Sequence, residues 1–137
     1  MSQPLSVLIV DDEWDIAHLF SLHLVGSGFD AISFTEPLLA LNHFKQDPSR
    51  YCLVLVDLSM DDLNGVELAK EIRRYNSHVK ILLITGHLIG DMLHDDDLRE
   101  AQISEVIQKP VKLENLEARV VRPCSKDKVV GSTSKIR

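Results

Sequence analysis

Four short apolar segments of this sequence each end in a side chain that can do chemistry. Asp11 and Asp12 follow the first segment, Asp57 ends the next, and Thr85 and Lys109 end the other two. Carboxylates within a few ångströms of one another repel, and at least one protonates unless a cation joins them. Oxygen ligands with room for water suit Mg²⁺, while a hydroxyl and an ammonium group can contact phosphate oxygens. These side chains together are equipped for phosphoryl transfer to an aspartate.

Positioning these residues requires strands that end at one edge of a sheet. Runs of β-branched and apolar residues predict five strands, over Ser6–Val10, Phe29–Phe34, Cys52–Asp57, Lys80–Thr85 and Val106–Gln108. Near-continuous apolarity in the first, third and fourth runs is typical of strands buried on both faces of a parallel sheet. Ligands of such sheets bind beyond the carboxyl ends of the strands.

Segments with helical spacing separate the predicted strands. The pattern predicts a helix over Asp15–Val25, then one that Thr35 caps and Pro37 begins. Two further helices are expected over Val66–Tyr75 and over Leu113–Val121, the last of which should stop at Pro123. Strands alternating with helices indicate an α/β fold with helices on both faces of the sheet.

Composition limits the class of protein. The chain has 137 residues, 45% hydrophobic and 26% charged, which suits one globular domain. Residues 1–118 hold 20 of the 21 acidic side chains and 9 of the 15 basic ones, a balance that argues against nucleic-acid binding. No glycine-rich nucleotide-binding motif is present. The two cysteines are too few for a disulfide framework, so a reducing cytoplasm is expected, with Cys52 packed in the core.

The polar residues and their surroundings resemble the receiver domain of bacterial two-component response regulators. The matching motifs are Val7–Glu13, Leu53–Met60 with Gly65, Ile84–Gly86 and Lys109–Pro110. The resemblance covers roughly residues 5–121 and implies a flavodoxin-like, doubly wound, five-stranded parallel sheet of order 2-1-3-4-5. We therefore expect a receiver domain over residues 1–122. Residues 123–137 are expected to be a flexible tail, a linker or an expression remnant.

The resemblance also implies a role for each polar residue. Asp57 would accept the phosphoryl group, Thr85 would be the switch hydroxyl that moves onto it, and Lys109 would form an ion pair with it. The peptide bond between Lys109 and Pro110 would be cis. Four groups would hold Mg²⁺: Asp11 through water, Asp12, Asp57 and the backbone carbonyl of Ser59.

The expected partners follow from the same resemblance. A sensor histidine kinase or a histidine phosphotransfer protein would donate the phosphoryl group, and a downstream effector domain or protein would receive the signal. The family also allows a phosphorylation-dependent homodimer. The domain would be a cytoplasmic signalling switch, not an enzyme acting on other molecules, although it would promote its own phosphorylation and dephosphorylation. Direct contact with nucleic acid or membrane is not expected.

Two other functions stay open at this point. One is a Mg²⁺-dependent phosphatase or phosphotransferase that forms an aspartyl phosphate on a small-molecule substrate. Against it, Ser59 stands two residues after Asp57, where such an enzyme needs a second acid–base aspartate. The other is a receiver-like interaction module that is never phosphorylated, which the complete set of polar residues disfavours.

Overall fold

Five parallel strands form one sheet in the order β2-β1-β3-β4-β5. The computed structural model describes residues 5–60, 62–86 and 94–124. The strands are β1 Ser6–Val10, β2 Asp30–Phe34, β3 Tyr51–Asp57, β4 Lys80–Thr85 and β5 Glu105–Gln108. The fold class and the strand order expected from the sequence are confirmed, and no strand boundary differs from its predicted position by more than one residue.

Helices cover both faces of this sheet. They are α1 Trp14–Gly26, α2 Pro37–Gln46, α3 Gly65–Arg73, α4 Asp95–Glu100 and α5 Leu113–Cys124. Alternate residues of β1 point to opposite faces: Val7 and Ile9 belong to a core with α1 and α5, while Leu8 and Val10 belong to one with α2, α3 and α4. Within the described ranges, no helix combines the length and the apolarity that a membrane crossing requires.

The start of α2 differs from the sequence-based prediction. Thr35 was expected to cap this helix, but Glu36 occupies the N-cap position and its side chain makes no capping hydrogen bond. Pro37 then takes the first helical position. Proline has no N–H to satisfy and its fixed φ already suits the helix, so the start needs less help from a capping side chain.

Gly65 allows α3 to begin directly against the end of β3. The backbone N–H of Gly65 donates to the carbonyl oxygen of Leu58 at 2.9 Å. A Cβ atom at this position would lie 2.5 Å from the carbonyl oxygen of Asp57 and 2.8 Å from a side-chain carbon of Leu83. Only glycine permits this approach, because the nearest obstacle is backbone and cannot rotate away.

Replacing Gly65 with alanine should lower the free energy of unfolding by about 1–3 kcal/mol, the usual cost of overpacking. The added methyl group must push α3 away from the last residue of β3. Urea unfolding followed by circular dichroism would measure the loss. Gly26→Ala is the matched control, because a Cβ at Gly26 meets nothing within 4 Å. Equal stability of the two variants would contradict the packing role of Gly65.

Arg73 connects the end of α3 to the end of α4, just before β5. Its guanidinium donates to the carbonyl oxygens of Ala101 at 2.9 Å and Gln102 at 2.8 Å. Gln102 has a φ of +52°, a left-handed conformation usually taken by glycine. The arginine thereby satisfies carbonyl groups that the helix end leaves without partners. The short α4 is held in place ahead of the strand that leads to Lys109.

The end of α5 corrects one prediction and adds a contact that the sequence did not predict. The helix continues through Pro123 to Cys124, although Pro123 was expected to stop it after Val121. Proline removes one hydrogen bond from this last turn, but Val120 and Cys124 remain buried against the sheet. Cys52 packs in the core as expected, and its sulfur forms a disulfide with Cys124 that the sequence did not predict. Residues 125–137 of the expected tail lie outside the described residues, and the domain boundary stays a prediction.

Candidate functional site

The predicted site residues stand at neighbouring strand ends because of the strand order and register. Val10 of β1 pairs with Val56 of β3, so the following residues, Asp11 and Asp57, leave the sheet side by side. On the other side of β3, Asp57 pairs with Ile84, which precedes Thr85. Lys109 follows β5, and its backbone N–H donates to the carbonyl oxygen of Thr85 at 2.8 Å. One edge of the sheet therefore holds Asp11, Asp57, Thr85 and Lys109.

Three carboxylates form a compact cluster at this edge. One oxygen from each of Asp11, Asp12 and Asp57 lies within 4.8 Å of the others. Asp11 and Asp57 are buried, whereas Asp12 is exposed, so the cluster is open to solvent on one side. Carboxylate oxygens with access to water are the donor set that Mg²⁺ prefers, because this ion keeps several water ligands. The residues present fit a magnesium ion.

Lys109 provides the positive charge of the cluster. Its Nζ atom lies 3.4 Å from Oδ1 of Asp57, 3.5 Å from Oδ2 of Asp11 and 3.2 Å from Oε1 of Glu13. The carboxylates outnumber this ammonium group, so the site keeps a net negative charge that a divalent cation would offset. The bond between Lys109 and Pro110 is cis, as the resemblance implied.

Glu13 is a site residue to which sequence reasoning assigned no role. Its side chain contacts Lys109, and its backbone N–H donates to Oδ1 of Asp11 at 2.9 Å. It also forms the N-cap of α1. Its place directly after Asp11 and Asp12 was the available signal, but an acidic residue there is equally well explained by the helix dipole.

Burial controls the protonation of the cluster. It raises the pKa of Asp57 to about 6, and the negative charge of Asp11 adds to the rise while Lys109 opposes it. Burial likewise raises the pKa of Asp11, against the hydrogen bond from the Glu13 backbone. Burial disfavours the charge of Lys109, but the carboxylates of Asp11 and Asp57 outweigh this effect and raise the pKa of its ammonium group. The site thus holds two carboxylates that are costly to ionise without more positive charge nearby.

Thr85 and Ser59 are the remaining predicted site residues. Thr85 is buried, with 1% of its surface exposed, at the end of β4. Ser59 lies two residues beyond Asp57, and its Oγ atom has no hydrogen-bond partner in the described part of the chain. A buried hydroxyl without a hydrogen-bond partner lowers stability. A polar ligand near the residues that follow Asp57 would offset that loss. The arrangement can bind a cation and an anionic oxygen next to a carboxylate nucleophile.

Comparison with known sequences agrees with the family resemblance seen in the motifs. A family model described as "Response regulator receiver domain" matches residues 7–121. The "DNA-binding response regulator MtrA" of Mycolicibacterium paratuberculosis is 31% identical over 117 residues, which are 83% of this chain and 48% of that protein. The "Phosphoglycerate transport system transcriptional regulatory protein PgtA" of Salmonella typhimurium is 31% identical over 106 residues, 77% of this chain and 25% of that protein. The chain thus spans a quarter to a half of the length of these relatives.

Solved structures show the same fold. The crystal structure described as a response regulator receiver domain protein (CheY-like) from Methanospirillum hungatei superposes with a TM-score of 0.78 at 19% identity. The match covers 93% of this chain and 98% of that one. At this identity the likeness concerns the fold alone.

Proposed function

Because the chain belongs to the response regulator receiver domain family, we propose that Asp57 is the residue at which it accepts a phosphoryl group. The observation that carries the proposal is the environment of this carboxylate. Asp57 ends the central strand, lies beside Asp11 and contacts the ammonium group of Lys109 at 3.4 Å. A nucleophile, a cation and further acidic ligands are thereby present in one solvent-connected cluster.

Mg²⁺ is the proposed cofactor. Asp11, Asp12 and Asp57 would hold it together with the backbone carbonyl of Ser59, with Asp11 acting through water. When bound, the ion would supply positive charge that offsets the charge developing on the phosphoryl oxygens.

The transfer itself needs little covalent assistance from the protein. A carboxylate oxygen of Asp57 forms a bond to phosphorus while the bond to the donor breaks, and the donor leaves with the electron pair. Lys109, already 3.4 Å from this carboxylate, lies close enough to contact an oxygen of the transferred group. The buried hydroxyl of Thr85 is proposed to move onto that group afterwards, which would favour one of two pre-existing conformations.

The proposed partners are those of a signalling domain. A sensor histidine kinase or histidine phosphotransfer protein would supply the phosphoryl group, and an effector domain or protein would respond, with a phosphorylation-dependent homodimer as one form of response. The acidic body makes direct nucleic-acid binding by this domain unfavourable. A cytoplasmic site of action is part of the proposal, since the donor kinases act there. The domain would not turn over an external substrate, although it would promote its own phosphorylation and dephosphorylation.

Incubation with acetyl phosphate and Mg²⁺ tests this function directly. The protein should gain one phosphoryl group, about 80 Da by intact mass, and chelation of Mg²⁺ should prevent the gain. Absence of any label on the folded protein would instead favour an interaction module that does not use phosphate. Sustained hydrolysis of an added phosphoester would favour a phosphatase or phosphotransferase.

Titration with Mg²⁺ alone should change the fluorescence of Trp14 with a dissociation constant on the order of 1 mM. Trp14 follows Glu13, whose backbone is hydrogen-bonded to Asp11, and its ring stacks on His18 with centroids 4.5 Å apart. A cation that repositions Asp11 should therefore disturb the indole. The measurement is a fluorescence titration at constant ionic strength.

Two variants make this titration decisive. Asp12→Asn should weaken the response at least about tenfold, because it removes a proposed direct ligand. Asp15→Asn is the matched control: it removes the same charge one turn of chain away, at an exposed position of α1 outside the cluster. An equal loss of affinity in both variants would indicate general charge attraction and not a site at Asp12.

A further inference from the structure

The end of α5 and the start of β3 are joined by a covalent bond that the phosphoryl chemistry does not use. Cys52 is the second residue of β3 and Cys124 ends α5. Their side chains form a disulfide, with Cα atoms 5.3 Å apart and a sequence separation of 72. This Cα separation is typical of an ordinary disulfide, so the backbone needs no rearrangement for the bond to form.

The fold also accommodates the reduced pair. Both cysteines are buried, with 7% and 6% of their surfaces exposed, and a reduced cysteine packs as a small apolar residue. The Sγ atom of Cys52 lies 3.3 Å from the carbonyl oxygen of Ser6, which could accept its S–H. Neither oxidation state leaves an incompatible group in the core.

A groove lies next to this bond. It has a volume of about 490 Å³, is open to solvent, and lies at the amino ends of β3 and β4. Cys52, Pro123, Lys80 and His78 are among the residues that line it. The groove is at the opposite end of β3 from Asp57, so a reagent that approaches Cys52 through it would not enter the phosphoryl site.

The disulfide secures the weakest turn of α5. Pro123 cannot donate a backbone hydrogen bond to the preceding turn. Earlier turns have other attachments. Glu117 accepts a hydrogen bond from the hydroxyl of Ser27 and contacts His23 at 3.0 Å, and Arg119 pairs with Glu105 at 2.7 Å. Opening the bond should therefore release the last turn and leave the rest of α5 in place.

We propose that Cys52 and Cys124 are a reversible redox site. Exchange with a low-molecular-weight disulfide closes the bond and restrains the end of α5, and exchange with a low-molecular-weight thiol opens it and releases that end. When the Cys52–Cys124 bond forms, the Cys52 thiolate first attacks one sulfur of the external disulfide and expels a thiolate. The Cys124 thiolate then attacks Cys52 in the mixed disulfide and expels the second one. Two electrons pass from the cysteine pair to the external disulfide, and the two protons that the cysteines lose go to the departing thiolates. In a reducing cytoplasm the pair would rest as thiols and close under oxidation.

Exposure of the reduced, full-length chain to glutathione disulfide tests closure. The intact mass should fall by about 2 Da, both thiols should lose reactivity towards a maleimide in denaturant, and dithiothreitol should restore both. Disulfide-linked dimers, or stable glutathione adducts on both cysteines, would overturn the proposal. So would thiols that stay reduced.

Hydrogen exchange tests the consequence for α5. Peptides covering Val120–Cys124 should exchange at least about tenfold faster in the reduced form, while peptides from β1 serve as an unchanged internal reference. A double variant, Cys52→Ser with Cys124→Ser, should match the reduced form and ignore the oxidant. Equal exchange in the oxidised and reduced forms would overturn the proposed release.

Single variants test the order of attack. With Cys124→Ser, glutathione disulfide should form a mixed disulfide on Cys52 several-fold faster than it forms one on Cys124 in the Cys52→Ser variant. The reason is that Cys52 lines the groove. A faster reaction at Cys124 would overturn the assignment of Cys52 as the attacking residue.

Discussion

Asp57→Asn should show no phosphoryl label after incubation with acetyl phosphate and Mg²⁺, whereas the unaltered chain gains one group. An asparagine side chain has the same shape but offers no carboxylate nucleophile. Its amide can occupy the same space beside Asp11 and Lys109, so the fold should persist. Intact mass spectrometry would detect the difference of about 80 Da.

The control for this experiment is Asp62→Asn. Asp62 is an exposed aspartate five residues further along the chain, outside the carboxylate cluster. It should label like the unaltered protein. A label that survives in Asp57→Asn would place the acceptor on another residue and refute the proposed function of Asp57.

Without divalent cations, Asp57→Asn should also be more stable than the unaltered protein above pH 6, by about 2–3 kcal/mol. Burial and the charge of Asp11 raise the pKa of Asp57 from 3.8 to about 6. Between these values the folded state binds a proton that the unfolded state has already lost. The stabilising contribution of protonated Asp57 is complete below pH 4 and disappears as the pH rises to 6. Asparagine cannot ionise, so the Asp57→Asn variant does not lose this free energy of unfolding as the pH rises.

Urea unfolding in a chelating buffer from pH 4 to pH 7.5 would measure the effect. The difference in free energy of unfolding between Asp57→Asn and the unaltered chain should grow across this range, while Asp62→Asn follows the unaltered chain. Addition of Mg²⁺ at pH 7.5 should narrow the difference, because the ion stabilises only a chain that binds it. A difference independent of pH would show that Asp57 ionises in the folded state as easily as in the unfolded one.

The charge arrangement connects these two expectations. A carboxylate that attacks phosphorus must be ionised, yet burial beside Asp11 makes ionisation of Asp57 costly. Lys109 relieves part of this cost, and a divalent cation would relieve more. Under the proposed function, Asp57 would lower the stability of the metal-free protein and would become available as a nucleophile when the metal binds.

The alternation of strands and helices, and the residues at the strand ends, could be predicted from the sequence alone. Parallel strands buried on both faces need unbroken apolar runs, and these are visible at β1, β3 and β4 without any structure. Asp11, Asp57 and Thr85 interrupt that apolarity at the carboxyl ends. Since the carboxyl ends of parallel strands share one edge, these side chains had to lie near each other.

Contacts between distant elements could not be predicted in the same way. Lys109 meets Glu13 across 96 positions of sequence, and the closeness of Gly65 to the Asp57 carbonyl depends on how α3 docks. Strand order came from the resemblance and was confirmed by the structure. Local periodicity determines which face of an element is apolar, but it carries no information about which distant group that face will meet.

Cys52 and Cys124 show most clearly that local sequence patterns do not predict contacts between distant elements. A cysteine in a buried strand has the same sequence signature whether it remains a thiol or forms a disulfide. The choice depended on α5 continuing through Pro123, where the sequence predicted an end, and on its last turn packing against the start of β3. Local residue patterns were enough to predict the strands, most of the helices and the chemistry at the strand ends. The cysteine pairing arises from tertiary packing, because docking of whole elements brings residues 72 positions apart within bonding distance.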